Sequence, residues 1–165
     1  MENLIDLRYF RGVTELPYSQ IQTDLETPSG QSADIMQATY QMDIAEYQLE
    51  LLTRLFGSEI IPTEESVSDA ITLILYNENI LRSAIADFVF CNAITDFQSS
   101  ATIGGEKIHT AQDSISVSYQ EKYLFVWNRL VKSCLQIRKL LYDNGLHSTY
   151  PTDINDSLYK FQSFV

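Results

Sequence analysis

Groups that carry covalent chemistry are scarce in this chain. Among its 165 residues there are two histidines and two cysteines. His109 and His147 have no Asp, Glu, Cys or His around them at a ligand spacing, so no metal site is expected at either. Cys91 and Cys134 lie apart in apolar stretches and form no short-spaced cluster, which predicts ordinary buried thiols. No serine sits in a Gly-x-Ser-x-Gly elbow, and neither cysteine has an identifiable histidine partner. The acidic pairs Asp24/Glu26 and Glu64/Glu65 fall in apparent loops, where nothing in the sequence holds two carboxylates across a substrate.

Positive charge is also in short supply. Eleven Lys and Arg stand against 22 Asp and Glu, a formal charge of −11. That balance opposes attachment to phosphate backbones and to anionic lipid, although a negative surface suits the wall of a passage through which DNA slides. No run has the length and apolarity of a membrane span. The opening Met-Glu-Asn-Leu-Ile-Asp is not a basic region followed by an apolar one, so no secretory signal is expected. With six glycines, four prolines, no fixed-period repeat and no low-complexity tract, neither a solenoid nor a linker-dominated chain is indicated.

What the chain does have is apolar material in helical order. Hydrophobic residues make up 45% and charged residues 20%, a composition that folds, and the length suits one domain. From Asp34 to Phe56, Ile44, Gln48, Leu51 and Leu55 recur at spacings of four, three and four. Tyr40, Tyr47, Leu52 and Phe56 widen that face. Asp34 is placed to cap this helix and Gly57 to end it. After Pro62, the residues Val67, Ala70, Ile71, Ile74 and Leu75 make a second periodic segment, and Asn77-Glu78-Asn79 breaks or bends it. The run Ile80 to Phe97 is the most apolar, interrupted strongly only by Arg82, Asp87, Asn92 and Asp96, and is expected to be the central helix of the core.

The helical signal lapses over Ser99 to Thr110, where two extended pieces meet at Gly104-Gly105. This predicts a hairpin or a flexible loop projecting from the body. No Gly-Lys-Ser/Thr follows, so the glycines are no phosphate loop. Ser118-Tyr119-Gln120-Glu121 has the spacing of a capping box. The long helix behind it is expected to bury Leu124, Trp127, Val131, Cys134 or Leu135, and Leu141, with Arg138 on the same line, and to stop at Gly145. His147 is placed to meet the carbonyls of that helix end.

Ten Tyr, eight Phe and one Trp exceed the needs of a modest helical core. Tyrosine in particular suits partly hydrated interfaces. Phe88, Phe90 and Trp127 are assigned to the core. Tyr9, Tyr18, Tyr150, Tyr159 and Phe164, which lie in the terminal arms, are assigned to contacts with other subunits. The N-terminal arm as a whole either ties onto its own core, with one short strand or helical turn near Leu4 to Phe10, or docks on a neighbour.

Several of these stretches, in this order, resemble a family of small neck proteins of tailed bacteriophages, especially those infecting Bacteroidetes, including the crAss-like group. The resemblance rests on Glu46-Tyr47-Gln48-Leu49-Glu50-Leu51-Leu52-Thr53-Arg54-Leu55-Phe56-Gly57 and on Ala86-Asp87-Phe88-Val89-Phe90-Cys91-Asn92-Ala93-Ile94. It continues through Thr102-Ile103-Gly104-Gly105-Glu106-Lys107, Tyr119-Gln120-Glu121-Lys122 and Val126-Trp127-Asn128-Arg129-Leu130-Val131, covering residues 40 to 145. It implies a structural virion protein: a head-completion or head-to-tail adaptor in a ring beneath the portal. The partners implied are further copies of the chain, by analogy twelve, the portal, and neighbouring neck or tail proteins. DNA would be passing cargo, and the chain would sit in the virion neck after assembly in the host cytoplasm.

The expectation is therefore a mainly α protein: a small helical bundle with a glycine-containing hairpin or loop projection and extended terminal arms. Residues 1–165 make one domain, with an N-terminal arm over 1–33, a helical core over 34–146 that includes the projection over 99–117, and a C-terminal tail over 147–165. No catalytic residue, cofactor-binding residue, metal or membrane contact is expected, and the chain is read as a non-enzyme. The competing reading is a small cellular helical module that binds other proteins.

Overall fold

Short turns and amphipathic helices follow one another along the described residues, which in this computed structural model are 3–14, 30–93 and 119–150. Two 3-10 turns, Leu7–Tyr9 and Gly12–Thr14, come first. The α-helices are α1 (Gly30–Phe56), α2 (Ser68–Leu75), α3 (84–93) and α4 (Tyr119–Asp143). The protein is mainly helical, a small helical bundle. Among the described residues no strand forms, and the nearest approach to one is a single antiparallel bridge between Asn77 and Arg82.

α3 is the centre. Every residue from Ala84 to Cys91 is buried, as expected of a helix apolar on all sides. Around it α1 buries Ile44, Gln48, Leu51, Leu52, Leu55 and Phe56, and α2 buries Ile71 and Leu75 just after the buried Val67. The four-three-four seam on α1 is thus the face the core uses. Tyr47 of α1 meets Phe88 of α3 edge to face, with ring centroids 6.4 Å apart, and Arg54 lies over the same ring at 5.8 Å.

Helix ends follow local chemistry. At Gly57 (φ 70°) the N–H donates to the Thr53 carbonyl at 2.8 Å, a left-handed stop. At Gly145 (φ 72°) the Leu146 N–H reaches the Leu141 carbonyl at 2.8 Å and the Gly145 N–H the Tyr142 carbonyl at 3.0 Å, the paired bonds of a Schellman motif. α4 begins at Tyr119, one residue after Ser118.

Three features differ from the sequence reading. α1 starts at Gly30, so Asp34 lies inside the helix and is not its cap, and the helical body begins before residue 34. α3 starts at residue 84 and not at Ile80, because residues 77–82 close a tight turn. There the Asn77 Oδ1 accepts from the Asn79 and Ile80 N–H groups, the Asn77 N–H donates to the Arg82 carbonyl at 2.8 Å, and Leu81 takes φ 49°, a left-handed conformation unusual for leucine.

On α4 the sequence reading caught the buried stripe only at Cys134 and Leu141. The buried seam is Val126, Leu130, Cys134, Ile137 and Leu141, whereas Leu124, Leu135 and Arg138 are exposed and Val131 is half-buried. Two apolar stripes share this helix, and periodicity alone does not say which of them faces inward. Trp127 is also half-buried, stacked on Tyr123 with centroids 5.9 Å apart, so it borders the core and does not fill it.

The start of the chain is tied onto the body. Ile5, Tyr9 and Phe10 are buried, the Leu4 N–H donates to the Gln48 Oε1 at 2.7 Å, and the Asn3 amide donates to the Gln41 carbonyl at 3.2 Å. Tyr9 is thus a core residue and not a free contact for another subunit. At the other end, the Tyr150 hydroxyl donates to the Glu64 carboxylate, at 2.9 and 3.0 Å from its two oxygens, and its ring meets Phe56 edge to face. Tyr150 therefore also serves its own fold. Tyr18, Tyr159, Phe164, His109 and the projection over 99–117 lie outside the described residues.

Ser83 joins two helices. Its hydroxyl donates to the Leu75 carbonyl at 2.6 Å, at the end of α2, and accepts from the Ala86 N–H at 3.0 Å, at the start of α3. Ser83→Ala removes that cap and leaves a buried carbonyl without its donor. The expected loss is about 1–2 kcal/mol of unfolding free energy, read from urea melts.

Candidate functional site

The most polar feature of the buried body begins with a carboxylate in an apolar helix. Asp87 on α3 is 4% exposed at its side chain and faces Arg129 on α4. The guanidinium donates from Nε to Oδ2 at 2.8 Å and from Nη2 to Oδ1 in a second, parallel bond. Burial pushes the Asp87 carboxyl above its ordinary range, and the Arg129 guanidinium, with Arg82 nearby, pulls it part of the way back. Arg129 is correspondingly raised by its bonds to Asp87. Its guanidinium also lies 5.9 Å from the centre of the Phe125 ring, which faces solvent.

Above this pair opens a cleft of about 240 Å³, and residues from three distant parts of the chain line it. The N-terminal turns supply Tyr9, Arg11 and Thr14. The 77–82 turn and the cap of α3 supply Arg82 and Ser83, and α4 supplies Arg129. Three of the chain's six arginines therefore converge on one cleft in a chain with twice as many acidic as basic residues. The volume falls below the roughly 300–1,000 Å³ typical of sites for drug-sized molecules and suits one small group.

Proton-transfer chemistry is poorly served by this arrangement. Asp87, a carboxylate of the cleft, is held in two bonds to Arg129, and among the described residues no histidine or cysteine lines the cleft. Cys91 and Cys134 are both buried thiols, as expected. Burial pushes the Cys91 thiol up and the Cys134 thiol up to about 12, so neither supplies a thiolate. His147 is exposed, its ring 5.1 Å from that of Tyr142, and the contact with helix-end carbonyls is replaced by this ring contact. Among the described residues there is no group of three or more His, Cys, Asp or Glu side chains placed to hold a metal ion. No helix among them is long and apolar enough to cross a membrane.

A second feature lies on the outward side of α4. Leu124 (45% exposed), Leu135 (40%) and Tyr142 (68%) fall on one line with the half-buried Val131, interleaved with Asn128 and Arg138. The spacing of four, three, four, three and four is that of a helix seam with a partner. It runs about 27 Å at 1.5 Å per residue.

The sequence reading names Asp87 as an interruption and within the stretch Ala86 to Ile94, and Arg129 only within the Trp-Asn-Arg stretch. The signal available was the interruption itself: a carboxylate amid residues that are all buried needs a cation. Arg82 interrupts the same run, but Arg11 carries no such signal, because folding alone brings it to the same place. Comparison of the chain with protein-family models, with curated proteins and with solved structures gave no match.

Proposed function

We propose that this chain is a structural, protein-binding subunit, and specifically a head-to-tail adaptor of a tailed-phage neck that forms a ring with copies of itself between portal and tail. The observation that carries the binding role is the outward stripe of α4. An amphipathic helix with one apolar seam in its own core and a second seam in solvent has a surface that an adjacent subunit can cover. The assignment to a phage neck comes from the ordered sequence resemblance over residues 40 to 145. A closed ring repeats one heterologous contact, and the net charge of −11 suits a channel wall along which DNA moves without sticking.

Electron microscopy of intact virions, and of the purified protein mixed with its cognate portal, tests this reading. The expected result is a ring in which α4 lies at the boundary between copies. Leu135→Glu is expected to abolish the ring while leaving the thermal melt of the isolated chain in place, since that side chain is exposed. A well-resolved neck lacking this chain, or holding it as isolated copies, overturns the proposal.

A further inference from the structure

We propose that the arginine cleft is a binding site for a doubly charged oxyanion, either inorganic phosphate or a phosphate monoester. The argument is one of unused donors. The acceptors contributed by the side chains of the cleft are engaged: both Asp87 oxygens by Arg129, and the Ser83 hydroxyl by the Ala86 N–H. The Thr14 hydroxyl gives its proton to backbone carbonyls of its own segment. What remains is donors. The guanidinium groups of Arg11 and Arg82 make no hydrogen bond or ion pair with any described residue. Both residues line the cleft.

The charges point the same way. Arg11, Arg82 and Arg129 against Asp87 leave two positive charges in the cleft, in a chain whose sum is −11. A dianion balances that count, a cation is repelled by it, and planar guanidinium forks match the oxygens of a phosphate. The start of α3 adds its backbone dipole, with Ala86 of the first turn in the cleft wall. Glu78, on the same turn as Arg82, acts on Arg8 and Tyr9 and is not part of the lining. The left-handed Leu81 holds the turn that presents Arg82, a strained backbone at the site it shapes.

Isothermal titration calorimetry of the full chain with inorganic phosphate at low ionic strength, against sodium chloride at matched ionic strength, is the primary test. Phenyl phosphate is titrated in parallel, to separate the free ion from a monoester. Saturable one-to-one binding is expected, weakened about tenfold or more by Arg82→Gln and by Arg11→Gln. Lys132→Gln, on an exposed face of α4, is expected not to weaken it at all. Circular dichroism melts establish that each variant is folded. Both arginines lie at the surface, so the variants are expected to melt like the parent. Phosphate heats no different from chloride overturn the proposal, and so does phosphate binding that Arg82→Gln and Arg11→Gln leave unchanged. A glutamate-rich peptide that binds where phosphate does not would overturn it in favour of an acidic polypeptide. None of these readouts depends on ring assembly, so the adaptor reading stands or falls separately.

Discussion

Replacing Arg129 with methionine is expected to lower the unfolding free energy by about 3–5 kcal/mol at neutral pH, because it leaves the Asp87 carboxylate buried without a cation. The size follows from the asymmetry of buried ion pairs. An intact pair contributes little net stability, since desolvation offsets attraction, whereas a broken pair leaves the full cost of one bare charge. The loss should depend on pH in a definite direction. Burial already raises the Asp87 carboxyl in the parent, and removing Arg129 takes away the chief influence that lowers it. A carboxyl whose folded pKa lies above its unfolded one favours folding most when protonated. That contribution is complete below the unfolded value, about 4, and is lost as the pH rises through the raised folded value.

Urea melts of the variant should therefore approach those of the parent toward pH 4 and fall furthest behind near pH 8. A gap of constant size across that range would mean that the lost packing of the arginine stem, and not the charge, sets the cost. The double variant Asp87→Leu with Arg129→Met should recover most of the stability, because two apolar side chains of similar size replace a pair that costs desolvation.

The second large effect concerns the middle of α3. Phe90 is completely buried and is among the largest of the fully buried side chains. Phe90→Ala is expected to cost about 3–5 kcal/mol, the transfer of a ring to water plus the cavity it leaves. In urea the midpoint should fall with the slope unchanged, since the native surface hardly alters. Trp127→Ala should cost less, because the indole is half-buried and leans on Tyr123. A larger effect at Trp127 than at Phe90 would place the core nearer α4 than the structure has it.

How much of this was legible in the sequence differs from element to element. The stops at Gly57 and Gly145 were legible because a left-handed residue after a periodic run is a local requirement, met within a few residues. The centrality of α3 was legible because a helix apolar all round has no face to give to water. The phase of α4 was not, since its two stripes carry similar residues, and the choice between them depends on what packs against each. The start of α3 was misjudged by four residues, because Ile80 and Leu81 look like core. In fact Ile80 is 61% exposed, in a turn dictated by the side chain of Asn77.

The cleft was the least legible feature. Arg11, Arg82 and Arg129 are far apart in the chain, and no spacing rule connects residues that meet only through tertiary packing. Asp87 pointed to a partner but not to which one of the available cations, and the contact with Arg129 spans 42 residues. Tyr9 misled for a related reason. An aromatic in a polar, proline-containing terminal stretch reads as an interface residue, whereas here residues 3–14 lie on α1 and α4.

That packing has a consequence for how the chain is made. The segment around Gly12–Thr14 packs against α4, so a piece made early rests on the last described helix to be synthesised. At the usual rate of about 5–20 residues per second, that piece spends on the order of ten seconds without the helix on which Gly12–Thr14 rests. During that interval the side of the segment that meets α4 is open to any nearby chain. Nascent copies growing side by side on one message would meet in this state, before either can close on itself.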